Sequence, residues 1–375
     1  MAAKIPYNTS ADALLNPAKD AKFFDQWEAK DFENHDLLCA EMSRLAYAEK
    51  EVVVSSLDGI GFTTVDFIGG DDLASRVKTT GTQAFVAKNA ARGLTILAFR
   101  GTESGSPEDL IADLMTHQTP WLRTGGRVHA GFADRYGRVK DDVAKALDQK
   151  VGALLITGHS LGAALATLAA VDTQPAALVT FGSPLVGNRE FCKLFDGKMI
   201  RRFVDCCDVV ARVPPALFDK PHLLSLFKEL TDFDPVKDAT SAGSDFMRQA
   251  NEQALEFSAA AISRMFDLVA KDIEFAHVSS PRYIYANGRV SEGISENAIA
   301  DDQRAARAAY GHRFTVTQLT VFLAEFSNLA GKAFSALPGA FAQHLSQFPG
   351  IGRVPSRDLA DHAPINYVSA FTGRE

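Results

Sequence analysis

The chain has 375 residues, 46% hydrophobic and 23% charged, an ordinary balance for a globular protein with a sizeable core and either one large α/β domain or two smaller ones. A net charge of -7, with no basic run, speaks against nucleic acid as a partner. The four cysteines, Cys39, Cys192, Cys206 and Cys207, are too few and scattered for a disulfide framework or a zinc site. They read as buried free thiols, with adjacent Cys206 and Cys207 better explained by packing as small hydrophobes than by redox chemistry.

Residues 1–20 lack the continuous apolar core of a secretory signal, which points to the cytoplasm and leaves secretion open. The proline-containing stretch 1–30 reads as an arm, and residues 31–375 as a single domain with helical insertions near 216–276 and 300–350. Asp31 to Glu49 predicts a helix with Leu38, Met42 and Leu45 on one face. Val52–Val54 and Thr63–Ile68 predict strands separated by the Asp58-Gly59 turn signal, with Thr82–Ala87 as another. Leu94 to Phe99 is a continuous apolar run, typical of a strand buried on both faces. The polar turn Arg100-Gly101-Thr102-Glu103 follows at its carboxyl end, where α/β sheets place ligand sites. Residues 127–132 then lead into an amphipathic helix ending near 148.

Ala153 to Ala170 is the most informative stretch. An apolar run meets Gly158-His159-Ser160-Leu161-Gly162 and passes at once into an Ala- and Leu-rich helix. A serine on so tight a strand-to-helix turn takes a strained backbone, and glycine two residues either side removes side chains that would collide with neighbouring elements. The helix start also aims its unpaired N–H groups at charge developing beside Ser160. Further buried strands follow at Ala177–Phe181 and Ile200–Val204. Strands alternating with helices predict an α/β fold, a mainly parallel central sheet with helices on both faces.

Beyond residue 215 the texture is mostly helical to Ala276. Tyr283–Tyr285 with Asn287-Gly288 then signals a hairpin. Phe314 to Ala330 predicts a helix whose Leu319, Phe322, Leu323 and Phe326 stripe suits a cap or a surface that touches lipid. The 26 phenylalanines fit an acyl-chain pocket, and a Phe-rich core accounts for them equally.

A serine nucleophile needs a histidine to take its proton and a carboxylate to orient that histidine, in the chain order Ser, acid, His. Asp208, on the turn after Ile200–Val204, meets the condition for the acid. Asp205 competes from nearer the strand end, where it could instead cap the turn. Of His222, His277, His312, His344 and His362, the last stands in a polar segment where Pro364 discourages regular structure, and His277 at the start of a strand reads as structural. Leu161 N–H and Thr102 are the candidate oxyanion donors. Zinc, phosphate-loop and dinucleotide motifs are missing from the sequence, and the chemistry calls for no cofactor and no metal.

AFRGTESGSPEDLIADL, RVHAGF, ITGHSLGAALATLAA, TFGSPLVGN and DVVARVPP, in that order, resemble the class 3, fungal-lipase-like members of the α/β-hydrolases. The resemblance implies a triad of Ser160, Asp208 and His362, an oxyanion hole at Thr102 and Leu161, and a lid near Ser104, Pro107 and Leu110. It also implies an acyl ester or lipid substrate met by transient contact with a lipid interface. On residues and resemblance together the expected activity is that of a serine carboxylester hydrolase, foremost a triacylglycerol lipase. A phospholipase A1, a feruloyl-type esterase and a catalytically silent lipid-binding protein on the same scaffold are the alternatives.

Overall fold

A computed structural model describes residues 2–69, 83–102, 118–121, 125–214, 273–310 and 357–374. Its centre is an eight-stranded sheet in the order β1-β2-β3-β6-β7-β8-β9-β10. The strands are β1 (Thr64–Ile68), β2 (Ala84–Asn89), β3 (Leu94–Phe99), β6 (Ala153–His159), β7 (Ala177–Phe181), β8 (Ile200–Asp205), β9 (Pro281–Ile284) and β10 (Val290–Ser291). β3, β6, β7, β8 and β9 run parallel, and β1, β2 and β10 are antiparallel additions at the two edges. A separate pair, β4 (Gln118–Pro120) with β5 (Arg127–His129), leads into helix Ala130–Leu147.

Both faces of the sheet are covered, so β3, β6 and β7 are buried at nearly every position rather than at alternate ones. On β6, Leu154 and Ile156 join Val139, Val143, Leu165 and Leu168 from helices Ala130–Leu147 and Leu161–Thr173. Leu155 faces the other way, toward Leu38, Met42 and Leu45 of helix His35–Leu45 and Val368 of helix Pro364–Thr372. The register aligns Phe99, Gly158 and Thr180 across three neighbouring strands, and Phe181 with Phe203 on the next. The carboxyl ends of β3, β6, β7 and β8 therefore open onto one edge, the expected position for a site.

Several local expectations are corrected. Val52–Val54 lies inside helix Lys50–Asp58, with Val53 and Leu57 buried and Val52 and Val54 exposed at 40% and 46%. The valine run suggested a strand, but the inward pair has the i, i+4 spacing of a helix. The single helix expected over 31–49 is divided: a 3-10 turn at Ala29–Glu33 ends at Asn34, whose side chain caps the next helix by accepting from Leu37 N–H. Pro364 does not keep its segment irregular; it opens helix Pro364–Thr372, where its fixed φ and missing N–H are favourable. Residues 273–276, expected at the end of a helical stretch, instead bridge to Gly187 through Ala276. The hairpin at β9–β10 matches expectation. Residues 216–272 and the Phe314–Ala330 stripe lie outside the described residues. No helix among the described residues is long and apolar enough to cross a membrane.

The first residues bind the last ones. Asn8 N–H donates to Asn366 Oδ1 at 2.7 Å, and Asn366 Nδ2 donates back to Asn8 O at 2.8 Å. The Tyr7 ring receives the guanidinium groups of Arg357 and Arg374 at 4.2 and 4.9 Å, and its hydroxyl donates to Asp361 Oδ1 at 2.7 Å. Arg374 forms a buried two-point ion pair with Asp205.

Phe203 stacks on Phe181 with centroids 5.3 Å apart and meets Phe371 edge-on at 5.1 Å, joining sheet to C-terminal helix. Truncating a buried phenylalanine costs about 3–5 kcal/mol. Phe203→Ala should lower the urea midpoint followed by circular dichroism, and an unchanged midpoint would deny this ring cluster its structural part.

Candidate active site

Ser160 sits between β6 and helix Leu161–Thr173 with φ 58° and ψ -128°, a positive φ rare outside glycine. Its N–H donates to Phe181 O at 3.0 Å, tying the turn to the end of β7. The flanking glycines have no room for a side chain. A Cβ on Gly158 would lie 2.3 Å from Gly162 O, and one on Gly162 would lie 2.3 Å from Phe99 O. Backbone contact thus forces the serine outward from the sheet edge. The same contact brings the end of β3, and so Gly101 and half-buried Thr102, against the start of the helix. Leu161, the first residue of that helix, carries an amide with no intrahelical acceptor.

Asp208 lies on the turn after β8, where its N–H donates to Asp205 O at 2.7 Å. Its Oδ1 accepts Val210 N–H at 2.8 Å, and its carboxylate faces His362 Nδ1 at 2.9 and 3.0 Å. The Tyr367 hydroxyl donates to Oδ2. Burial acts to raise the Asp208 pKa, but the His362 imidazole and the Tyr367 hydroxyl outweigh it and hold the carboxyl below its ordinary value. Burial and the charges of Asp208 and Asp205 push Tyr367 well up, so it stays a donor. Asp205, the competing acid, is engaged by Arg374.

His362 lies between two short helices and is almost wholly buried, in a segment that is not the solvated loop its polar residues suggest. Its carbonyl accepts from His159 Nε2 at 2.7 Å. That bond requires the proton of His159 on Nε2, so Nδ1 accepts from the Tyr47 hydroxyl at 2.9 Å. Burial, then the neighbouring His362, lowers the His159 pKa far below the usual histidine range, leaving a neutral ring. Gly182 completes the enclosure: with φ 56°, its Cβ would lie 2.6 Å from Asp208 Oδ2 and 2.9 Å from His362 Nδ1. Ser160 Oγ and His362 Nε2 are both buried, and neither has a hydrogen-bond partner among the described residues.

Asp208 and His362 are thus joined directly, and His362 is held through its carbonyl to His159, the residue before Ser160. His277 is held elsewhere, its Nε2 donating to Ala211 O at 2.8 Å, while burial and then Arg202 keep it neutral. His222, His312 and His344, and Ser104, Pro107 and Leu110, where a lid is expected, lie outside the described residues. Tyr47, His159 and Tyr367 were not foreseen as supporting groups. His159 stands inside the elbow pentapeptide and Tyr367 five residues after His362, but nothing in the sequence pairs Tyr47 with either.

Residues 96–218 match the Lipase (class 3) family. A secreted mono- and diacylglycerol lipase A of Penicillium cyclopium is 35% identical over 147 residues, 36% of this chain and 48% of its own length. A lipase of Rhizomucor miehei is 36% identical over 161 residues, covering 38% and 43%. A chloroplastic phospholipase A(1) of Arabidopsis thaliana is 36% identical over 117 residues, 26% of each chain. The chain spans less than half the length of each of these relatives. Ser160 on its strand-to-helix turn and Asp208 on the turn after β8 both lie inside the stretch that matches the class 3 lipase family, which is about a third of the chain.

Proposed function

We propose that the protein is a serine carboxylester hydrolase, foremost a triacylglycerol lipase, with Ser160 as nucleophile, His362 as general base and acid, and Asp208 as its orienting carboxylate. One observation carries the reading. Ser160 Oγ and His362 Nε2, two of the buried side-chain atoms without a hydrogen-bond partner among the described residues, are the pair between which a proton would pass. A buried unpaired polar atom is costly, so two in one cluster point to use by a reacting group. Such bonds are often long before substrate binds.

In the proposed reaction Ser160 Oγ attacks the ester carbonyl while His362 Nε2 takes its proton. Asp208 steadies the cation that forms, and its depressed pKa keeps it ionised for that task. Leu161 N–H and Thr102 receive the oxyanion. His362 then protonates the departing alcohol, leaving an acyl-enzyme that water cleaves by the same steps. His159 and Tyr47 position the imidazole without touching substrate. Residues 1–30 belong to this proposal as an arm of one hydrolase domain. The Penicillium relative is described as secreted, which favours export over the cytoplasmic placement expected above. Phospholipase A1 activity is the second reading, favoured by the Arabidopsis relative.

Ser160→Ala should lower nitrophenyl ester turnover by about 10⁴-fold or more and remove fluorophosphonate labelling, with an unchanged melting curve. Undiminished turnover would refute the assignment. Release of fatty acid from triacylglycerol but not from phosphatidylcholine would separate the two readings. Tyr367→Phe takes one donor from Asp208, which should raise the carboxyl's pKa and move the acid limb of kcat/KM toward higher pH. A superimposable pH profile would show that the hydroxyl has no part in tuning the acid.

A further inference from the structure

We propose that Cys206 and Cys207 form a reversible thiol–disulfide switch on the turn that carries Asp208, an inference that rests on the hydrolase reading above. The bond from Asp208 N–H to Asp205 O closes a four-residue turn whose two central residues are these cysteines. Their sulfur atoms lie 3.5 Å apart and both residues are fully buried. The surrounding contacts all act to set the turn. Cys207 N–H donates to Asp361 Oδ2 at 2.9 Å, and Cys206 N–H donates to Ile284 O at 2.8 Å. Cys206 O accepts from Gln303 Nε2 at 2.8 Å, and the Cys206 thiol donates to Asp302 Oδ2 at 3.2 Å.

A hydroperoxide is the oxidant class that balances the step. One thiol, as thiolate, attacks the peroxide oxygen, breaking the O–O bond, releasing alcohol (water when the oxidant is hydrogen peroxide) and leaving a sulfenic acid. The second sulfur displaces the hydroxyl as water, so two thiols lose two electrons and two protons to one S–S bond. The hydrogen bond with Cys206, and then burial, push the Cys207 thiol up, so Cys207 rests protonated, and with both residues fully buried oxidation waits on a local opening. The cover suits such an opening. Of helix Glu296–Tyr310 only Gln303 and Ala306 are buried, and Ala306 packs in the small cluster that contains both cysteines.

Closing the bond must deform the turn. The sulfurs have to approach to about 2.0 Å, while adjacent Cα atoms stand about 3.8 Å apart, nearer than ordinary disulfides allow. The resulting ring is strained and easily reduced, and its distortion falls on the residue just before Asp208. Oxidation therefore draws the carboxylate off His362 Nδ1, and reduction restores it.

The test takes the full chain, reduced with dithiothreitol and then exposed to hydrogen peroxide. Intact mass and peptide mapping follow the disulfide, while nitrophenyl ester turnover follows the site. The expected result is a Cys206–Cys207 bond, a loss of two hydrogens, a fall in turnover of at least about tenfold that tracks the oxidised fraction, and recovery on reduction. The double variant Cys206→Ser with Cys207→Ser should keep its turnover in peroxide. If it fails to fold, Cys206→Ala alone carries the comparison, with Cys39 and Cys192 retained throughout. Absence of the bond, a bond with unchanged turnover, equal inactivation of the variants, or a metal ion found on the thiols by native mass spectrometry would each overturn the switch. A reduced chain that neither turns over ester nor labels with fluorophosphonate would instead sink the hydrolase reading, whatever the disulfide does.

Discussion

The bond from His159 Nε2 to the carbonyl of His362 spans 203 positions of sequence and fixes what the rest of the site depends on. It grips the main chain at His362, and it originates on the residue directly before Ser160. Any shift of the histidine segment relative to the elbow would leave a buried N–H and a buried carbonyl unpaired, at a cost of about 1–3 kcal/mol for each group. Ser160 and His362 are thus indexed to one another by backbone, while Ser160 Oγ and His362 Nε2 have no hydrogen-bond partner among the described residues.

Behind this contact lies a set of buried charges. Arg374 with Asp205 and Arg307 with Asp358 pair the C-terminal segment to the sheet and to helix Glu296–Tyr310, and Arg357 pairs with Asp361 within the segment. Buried ion pairs of this kind are weak contributors to net stability, but breaking one leaves an uncompensated charge in the interior. Their effect here is on geometry, since the docking of residues 357–374 has to satisfy at once both pairs that leave the segment.

The legible parts of the chain were those whose chemistry is local. The Leu94–Phe99 and Ala177–Phe181 strands were read at their observed boundaries because each is a continuous apolar run ending in a glycine-containing turn. The elbow was legible because one backbone collision demands two glycines at fixed spacing. Val52–Val54 misled because three β-branched residues look alike in a strand and a helix until burial separates Val53 from its neighbours. The Tyr47–His159 contact was invisible for a different reason: it joins residues 112 positions apart, and no local pattern encodes such a meeting.

The interlocking of Tyr7 and Asn8 with Asp361 and Asn366 has a kinetic side. Contacts of such separation gain nothing until a very long loop is closed, so they form late in folding. During synthesis the sheet strands emerge and pair while the imidazole is still inside the ribosome. The turn at Ser160 therefore forms before His362 is set beside it, and the cluster is completed only when residues 357–374 dock against Tyr7 and Asn8.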